Sequence, residues 1–124
     1  MPLRNPAEAV GGRHAAFGAP ALLDLGRRGI RSIERVGKSF LIVAGPTADA
    51  GTFALYRWSG RARDAAVAVP GVDFGSLRPE ALFSVAPRGP VQVLSDDGGV
   101  EVDGIVCKKL PAARRAFRSI LLTP

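Results

Sequence analysis

Ile30-Arg31-Ser32-Ile33-Glu34-Arg35-Val36-Gly37-Lys38-Ser39-Phe40-Leu41-Ile42-Val43-Ala44-Gly45-Pro46 is the stretch that decides the fold class. Its first half is ambiguous, because Ile30, Ile33 and Val36 recur every third residue, as they would on a helix. Only seven residues separate Gly29 from Gly37, too few for a stable helix, and the β-branched isoleucines favour a strand. Gly37-Lys38 then suits a tight type II′ hairpin turn, with glycine at the first central position. Phe40 to Ala44 is apolar without alternation, as expected of a strand covered on both faces. Gly45-Pro46 ends it.

Outward from this hairpin the same texture continues. Thr52 to Trp58 alternates cleanly, with Phe53, Leu55 and Arg57 on one face and Ala54, Tyr56 and Trp58 on the other. Ala65 to Val69 is a weaker outer strand before Pro70-Gly71. Pro79 to Val85, Val91 to Ser95 and Phe117 to Thr123 read as further strands, with Pro87-Arg88-Gly89-Pro90 as a turn between the first two. Pro111 to Arg115 suits one helical turn, with proline at its first position. On the amino-terminal side, Ala21 to Leu25 reads as a strand, and residues 1–20 as an extended, proline- and glycine-rich leader. The fold class is therefore all-β, with at most one short helical turn near residues 111–115, in a single β domain over 21–124.

Two stretches correspond element by element. Ile30–Val36 matches Pro79–Val85, Phe40–Ala44 matches Val91–Ser95, and Phe53–Trp58 matches Phe117–Leu122. The first two pairs lie about 50 residues apart, the size of one four-stranded propeller blade. The expectation is a partial β-propeller of about two antiparallel blades, near 29–70 and 78–124; a small sandwich or barrel is the competing arrangement. Two blades alone would leave apolar faces and strand edges open. Self-association, or packing against missing blades, is the partner this implies.

The segments Gly29–Arg35, Phe40–Pro46, Phe53–Trp58, Arg78–Leu82, Val93–Gly98 and Phe117–Ser119 resemble, in order, a bacterial family known only as domain of unknown function 3616. The resemblance implies a chain like the carboxy-terminal part of longer proteins with further β repeats, or a fragment of one. It implies no activity.

The chain has 124 residues, 47% of them hydrophobic, and a formal net charge of +6. No apolar run is long enough to span a bilayer. The amino terminus lacks the apolar core of a secretion signal, which predicts a cytoplasmic chain without membrane contact. Basicity favours an acidic partner. Yet the arginines are scattered apart from the run Lys108, Lys109, Arg114, Arg115 and Arg118, and aromatics for base stacking are few, so nucleic acid is not the expected partner. The single cysteine, Cys107, and single histidine, His14, leave no catalytic triad and no usual zinc site. Tyr56 and Trp58 share a strand face and read as core.

Two polar sets remain. Arg31, Glu34, Arg78 and Glu80 fall on or beside the first strand of each repeat, which in a propeller lines the channel, and they are the candidate ligand-binding residues. The competing and favoured reading is that each glutamate pairs with a nearby arginine and only keeps the channel wet, since two carboxylates alone make a poor cation cage. Asp96 and Asp97, with Glu101 and Asp103 nearby, are candidate calcium ligands, although the spacing departs from the twelve-residue calcium loop and a solvated turn fits as well. Asp49 sits at a loop tip facing the same mouth as the other inter-strand loops, but its loop lacks the Lys and Ser/Thr that complete a phosphate cradle, so nucleotide binding is not expected there. No cofactor beyond calcium is suggested. The expected function is a non-enzymatic binding or scaffold module. The alternatives are a metal-dependent hydrolase of phosphoesters or other acidic substrates, and an arginine-driven nucleic acid binder.

Overall fold

The computed structural model describes residues 1–48, 50–86 and 89–123. Asp49 and the Pro87-Arg88 half of one turn lie outside them. The chain is all-β. Its first sheet is a meander of β1 (Arg28–Val36), β2 (Ser39–Pro46), β3 (Ala54–Trp58) and β4 (Val67–Ala68), each antiparallel to the next. The second joins β5 (Pro79–Ser84), β6 (Val91–Ser95) and β9 (Ser119–Leu122). Between β6 and β9 stands a two-stranded hairpin, β7 (Glu101–Val102) and β8 (Ile105–Val106). The β1–β2 turn has a left-handed φ of 61° at Gly37 and none at Lys38, which is the type II′ signature.

The two sheets share an irregularity that establishes their equivalence. In β1 the pairing with β2 slips between Ile30 and Ser32, leaving Arg31 as the extra residue. In β5 the pairing with β6 slips between Pro79 and Ala81, leaving Glu80 extra. Both are β-bulges at the same step of the repeat. Beyond the bulge, Ser32, Ile33 and Glu34 pair with Val43, Ile42 and Leu41, while Ala81, Leu82 and Phe83 pair with Leu94, Val93 and Gln92.

This equivalence shows how the sheets are stacked. Side chains alternate across a strand, so each sheet has a front face, carrying Ser32, Leu41, Val43 and Leu55 in the first, and a back face, carrying Ile33, Ile42 and Tyr56. The same positions in the second sheet are Ala81, Gln92, Leu94 and Ser119 in front, and Leu82, Val93 and Ile120 behind. The main core joins Leu41, Val43 and Leu55 to Leu82, Val91 and Val93, closed by Phe74 from the connecting segment. The front of the first sheet therefore rests on the back of the second. The sheets meet mainly along their first strands, β1 and β5.

A second, smaller core covers the back of the first sheet. Leu23 and Leu25 lie there against Ile42, Ala44 and Tyr56, and the Tyr56 hydroxyl donates to the carbonyl of Leu25 at 2.9 Å. Residues 21–25, expected as a strand, pair with no described strand. The Asp24 carboxylate accepts from the Gly26 N–H, and the positive φ of Gly26 and Arg27 turns the chain away before β1.

The leader is not extended throughout. It carries α1 (Pro6–Val10), started by a proline that needs no amide partner, and Asn5 folds it back by accepting from the Ala16 N–H and donating to the His14 carbonyl. The helical turn expected at 111–115 is a 3-10 turn at Ala112–Arg114, preceded by another at Cys107–Lys109. No described helix is long and apolar enough to cross a membrane.

Candidate ligand-binding cleft

The two bulges lie side by side at one end of the stacked first strands. Arg31 Nη1 sits 3.2 Å from Glu80 Oε1, both half-exposed, and its Nη2 donates to the carbonyl of Pro46 at the end of β2. A bulge re-aims the side chain it carries, and here each aims the charge of one sheet at the charge of the other.

Beside this pair opens a cleft of about 1050 Å³. Arg31, Arg78, Glu80 and Asp96 line it, with Phe53, Phe74 and Leu77 as an apolar wall. The backbone of Arg78 is clamped: its N–H donates to Ser95 Oγ at 2.9 Å, and its carbonyl accepts from the Asp96 N–H at 2.7 Å. Asp73 and Asp96 each accept from a glycine N–H two residues on, Gly75 and Gly98, so the rims are Asx turns. Arg31 and Arg78 thus line the cleft together with Asp73, Glu80 and Asp96. Arg31 is engaged by Glu80; Arg78 forms no ion pair with any described residue.

The structure divides the candidates read from sequence. Three of the four channel residues, Arg31, Arg78 and Glu80, meet in the cleft, and Asp96 joins them. Glu34 lies elsewhere, on the front face of β1, where its Oε1 accepts from the Ser84 N–H at 3.4 Å. Ser32 Oγ accepts from the Leu82 N–H at 3.0 Å in the same way. Together they satisfy amides on the edge of β5 that β6 does not use.

Asp97 lies apart from Asp96 as well. It is 6% exposed, and the Arg118 guanidinium grips both its oxygens, Nε to Oδ2 and Nη2 to Oδ1, each at 2.8 Å. The Arg118 N–H and the Ser95 hydroxyl complete its acceptor set at 2.7 Å each. The Arg118 hydrogen bonds hold the carboxyl far below the usual carboxylate range, outweighing burial, which acts the other way; Asp97 in turn raises the guanidinium. Arg118 also donates to Ser76 Oγ and the Ser76 carbonyl, tying the start of β9 to the cleft-lining connector between the sheets. No local pattern announces this pair, whose members are 21 residues apart.

The remaining acids disperse. Glu101 is exposed on β7, and Asp103 pairs with Arg114 at 2.9 Å on the surface. Among the described residues no three His, Cys, Asp or Glu side chains come together to hold a metal ion. Cys107 is buried and donates weakly to the Ala116 carbonyl at 3.4 Å. Trp58 is held by Phe40, with ring centroids 5.7 Å apart, and donates to the carbonyls of Arg61 and Asp64. Lys108, Lys109, Arg114 and Arg115 are exposed.

A family model, Protein of unknown function (DUF3616), matches residues 12–86. The chain belongs to this family. No curated protein and no solved structure matches it. The DUF3616 match takes in the whole first sheet, the connector and β5, and therefore both bulges and the Arg31–Glu80 pair. Asp96, Asp97 and Arg118 lie beyond the matched DUF3616 residues.

Proposed function

We propose that this DUF3616 domain is a non-catalytic, propeller-type binding module in which stacked sheets present their bulged strand ends to a small ligand. The observation that carries it is the equivalence of Arg31 and Glu80: the same bulge of two successive repeats builds one side of a single cleft. Front-to-back stacking supports the propeller reading, since it is the relation between neighbouring blades. Arg78 supports an anionic group on the ligand, a carboxylate or phosphate, because a guanidinium offers paired donors to planar or tetrahedral oxygens. Phe53 and Phe74 suit an apolar part of the same molecule.

Hydrolysis has less support. A metal-dependent reaction needs several carboxylates on one cation, and Asp97 is already spent on Arg118. Nucleic acid binding also has less support, because the basic residues form no stripe with stacking aromatics.

Thermal melts with inorganic phosphate and with succinate test the proposal. A ligand at ten times its Kd stabilises the native state by about 1.4 kcal/mol, read as a rise in Tm. At least one probe is expected to raise Tm in the natural protein and to lose that effect in Arg78→Ala, whose unliganded melt stays unchanged. An equal shift in both proteins would contradict the assignment of the cleft.

A further inference from the structure

The loop that leaves β2 at Pro46 and returns past Thr52 to β3 is a wall with a cavity on each side. Pro46, Ala48, Ala50, Gly51 and Thr52 line the cleft of about 1050 Å³. The same five residues line a smaller pocket of about 240 Å³, to which Gly26, Arg27 and Arg28 also contribute. The loop is tightly folded: Gly51 has a φ of 149°, and a methyl group there would lie 2.6 Å from Pro46 Cβ.

One arginine of β1 holds each end of this wall. Arg31, which lines the cleft, donates to the carbonyl of Pro46. Arg28, which does not, grips Thr52 twice: Nε donates to its carbonyl and Nη2 to its hydroxyl, each at 2.8 Å. The remaining nitrogen, Nη1, lies 3.5 Å from the Leu25 carbonyl and 3.4 Å from both the Gly26 carbonyl and the Tyr56 hydroxyl. Leu25 and Tyr56 are buried in the small core behind the first sheet, so the anchor is firm. A planar guanidinium can serve all these acceptors at once, whereas a lysine ammonium is a single point of charge.

We propose that Arg28 is a positioning residue for the cleft: by fixing Thr52 to the small core, it holds the β2–β3 loop in the shape that walls the ligand site. The proposal rests on the cleft being the binding site. A wall ordered beforehand adds no ordering cost when the ligand arrives. Re-ordering a single loop residue on binding costs about tenfold in Kd. Arg28 therefore acts on affinity through Thr52, without touching the ligand.

Arg28→Lys, Thr52→Val and the double variant test it, by calorimetric titration with inorganic phosphate and succinate and by nitrogen-15 relaxation. In Arg28→Lys the backbone order parameters of Ala50, Gly51 and Thr52 should fall from about 0.85 to below about 0.6, while those of β2 and β3 stay as they are. The Kd of whichever probe binds the natural protein should rise about tenfold. The loss in the double variant should fall well short of the product of the two single losses, because both substitutions break the same contact. A purely structural role for Arg28 would give independent, multiplying losses. If Arg28→Lys fails to melt cooperatively, Arg28→Gln takes its place. Unchanged order parameters, an unchanged Kd or multiplying losses would each overturn the proposal. A natural Kd in Arg28→Lys, with binding still lost in Arg78→Ala, would leave the binding reading standing while the positioning role fails. If neither probe binds the natural protein, the binding reading falls and this one falls with it.

Discussion

Asp97→Asn should unfold at markedly lower urea than the natural protein at pH 7, a loss of about 3 kcal/mol. The substitution keeps the volume, so no cavity contributes. It removes the charge that Arg118 grips with two nitrogens, and sets an amide donor against a guanidinium donor. Removing one partner of a fully buried pair costs about 3–5 kcal/mol. The lower end applies here, because the Arg118 side chain is 45% exposed and water screens part of the interaction. The pair also has a pH signature. A carboxyl whose folded pKa is depressed contributes stability that is complete above its unfolded value, about 3.9. That stability drains away as pH falls through the folded value. The gap between natural protein and variant should therefore be constant above about pH 5 and shrink steadily below about pH 4. A gap that widened on acidification would contradict the assignment.

Leu41→Ala should cost about 3–4 kcal/mol. Leu41 is fully buried on the front of the first sheet, in the core that joins the two sheets. Truncating it removes transfer free energy and leaves a cavity between two sheets that cannot simply close, because their separation is also set by Leu55, Val43 and the opposing valines. Domains of this size have only about 5–15 kcal/mol of stability, so the variant should melt far below the natural protein. Chemical denaturation measures it; a loss under 1 kcal/mol would mean the sheets are not packed through this face.

The strands were legible because period-two alternation, β-branched residues and glycine turns agreed with one another, as in Thr52–Trp58 and Gly37-Lys38. Ala21–Leu25 misled for a definite reason: its apolar residues do reach a sheet, but Leu23 and Leu25 pack on its face instead of pairing at its edge. Periodicity reports burial, not hydrogen bonding. The β7–β8 hairpin carries a signal of its own: Asp103-Gly104 has φ of 53° and 76°, the type I′ turn that Asp-Gly favours, so the turn geometry accounts for Asp103 without a calcium ion.

The cleft was legible in part. The repeat placed Arg31 and Glu80 in equivalent strands, but neither bulge can be read from residue types, and the bulges are what bring the two charges together. Glu34 differs because, past the bulge, it stands on the front face, where amides of β5 need an acceptor. Asp97 and Arg118 meet only through the pairing of β6 with β9, a long-range register that the intervening hairpin hides from local pattern.

Methyl–methyl nuclear Overhauser contacts test the stacking most directly. Cross-peaks should link Leu41, Val43 and Leu55 with Leu82, Val91 and Val93, while Ile42 connects with Leu23 and Leu25. If Leu82 and Val93 instead contacted Ile42 and Leu25, the sheets would be joined back to back, and the blade-like arrangement would be wrong.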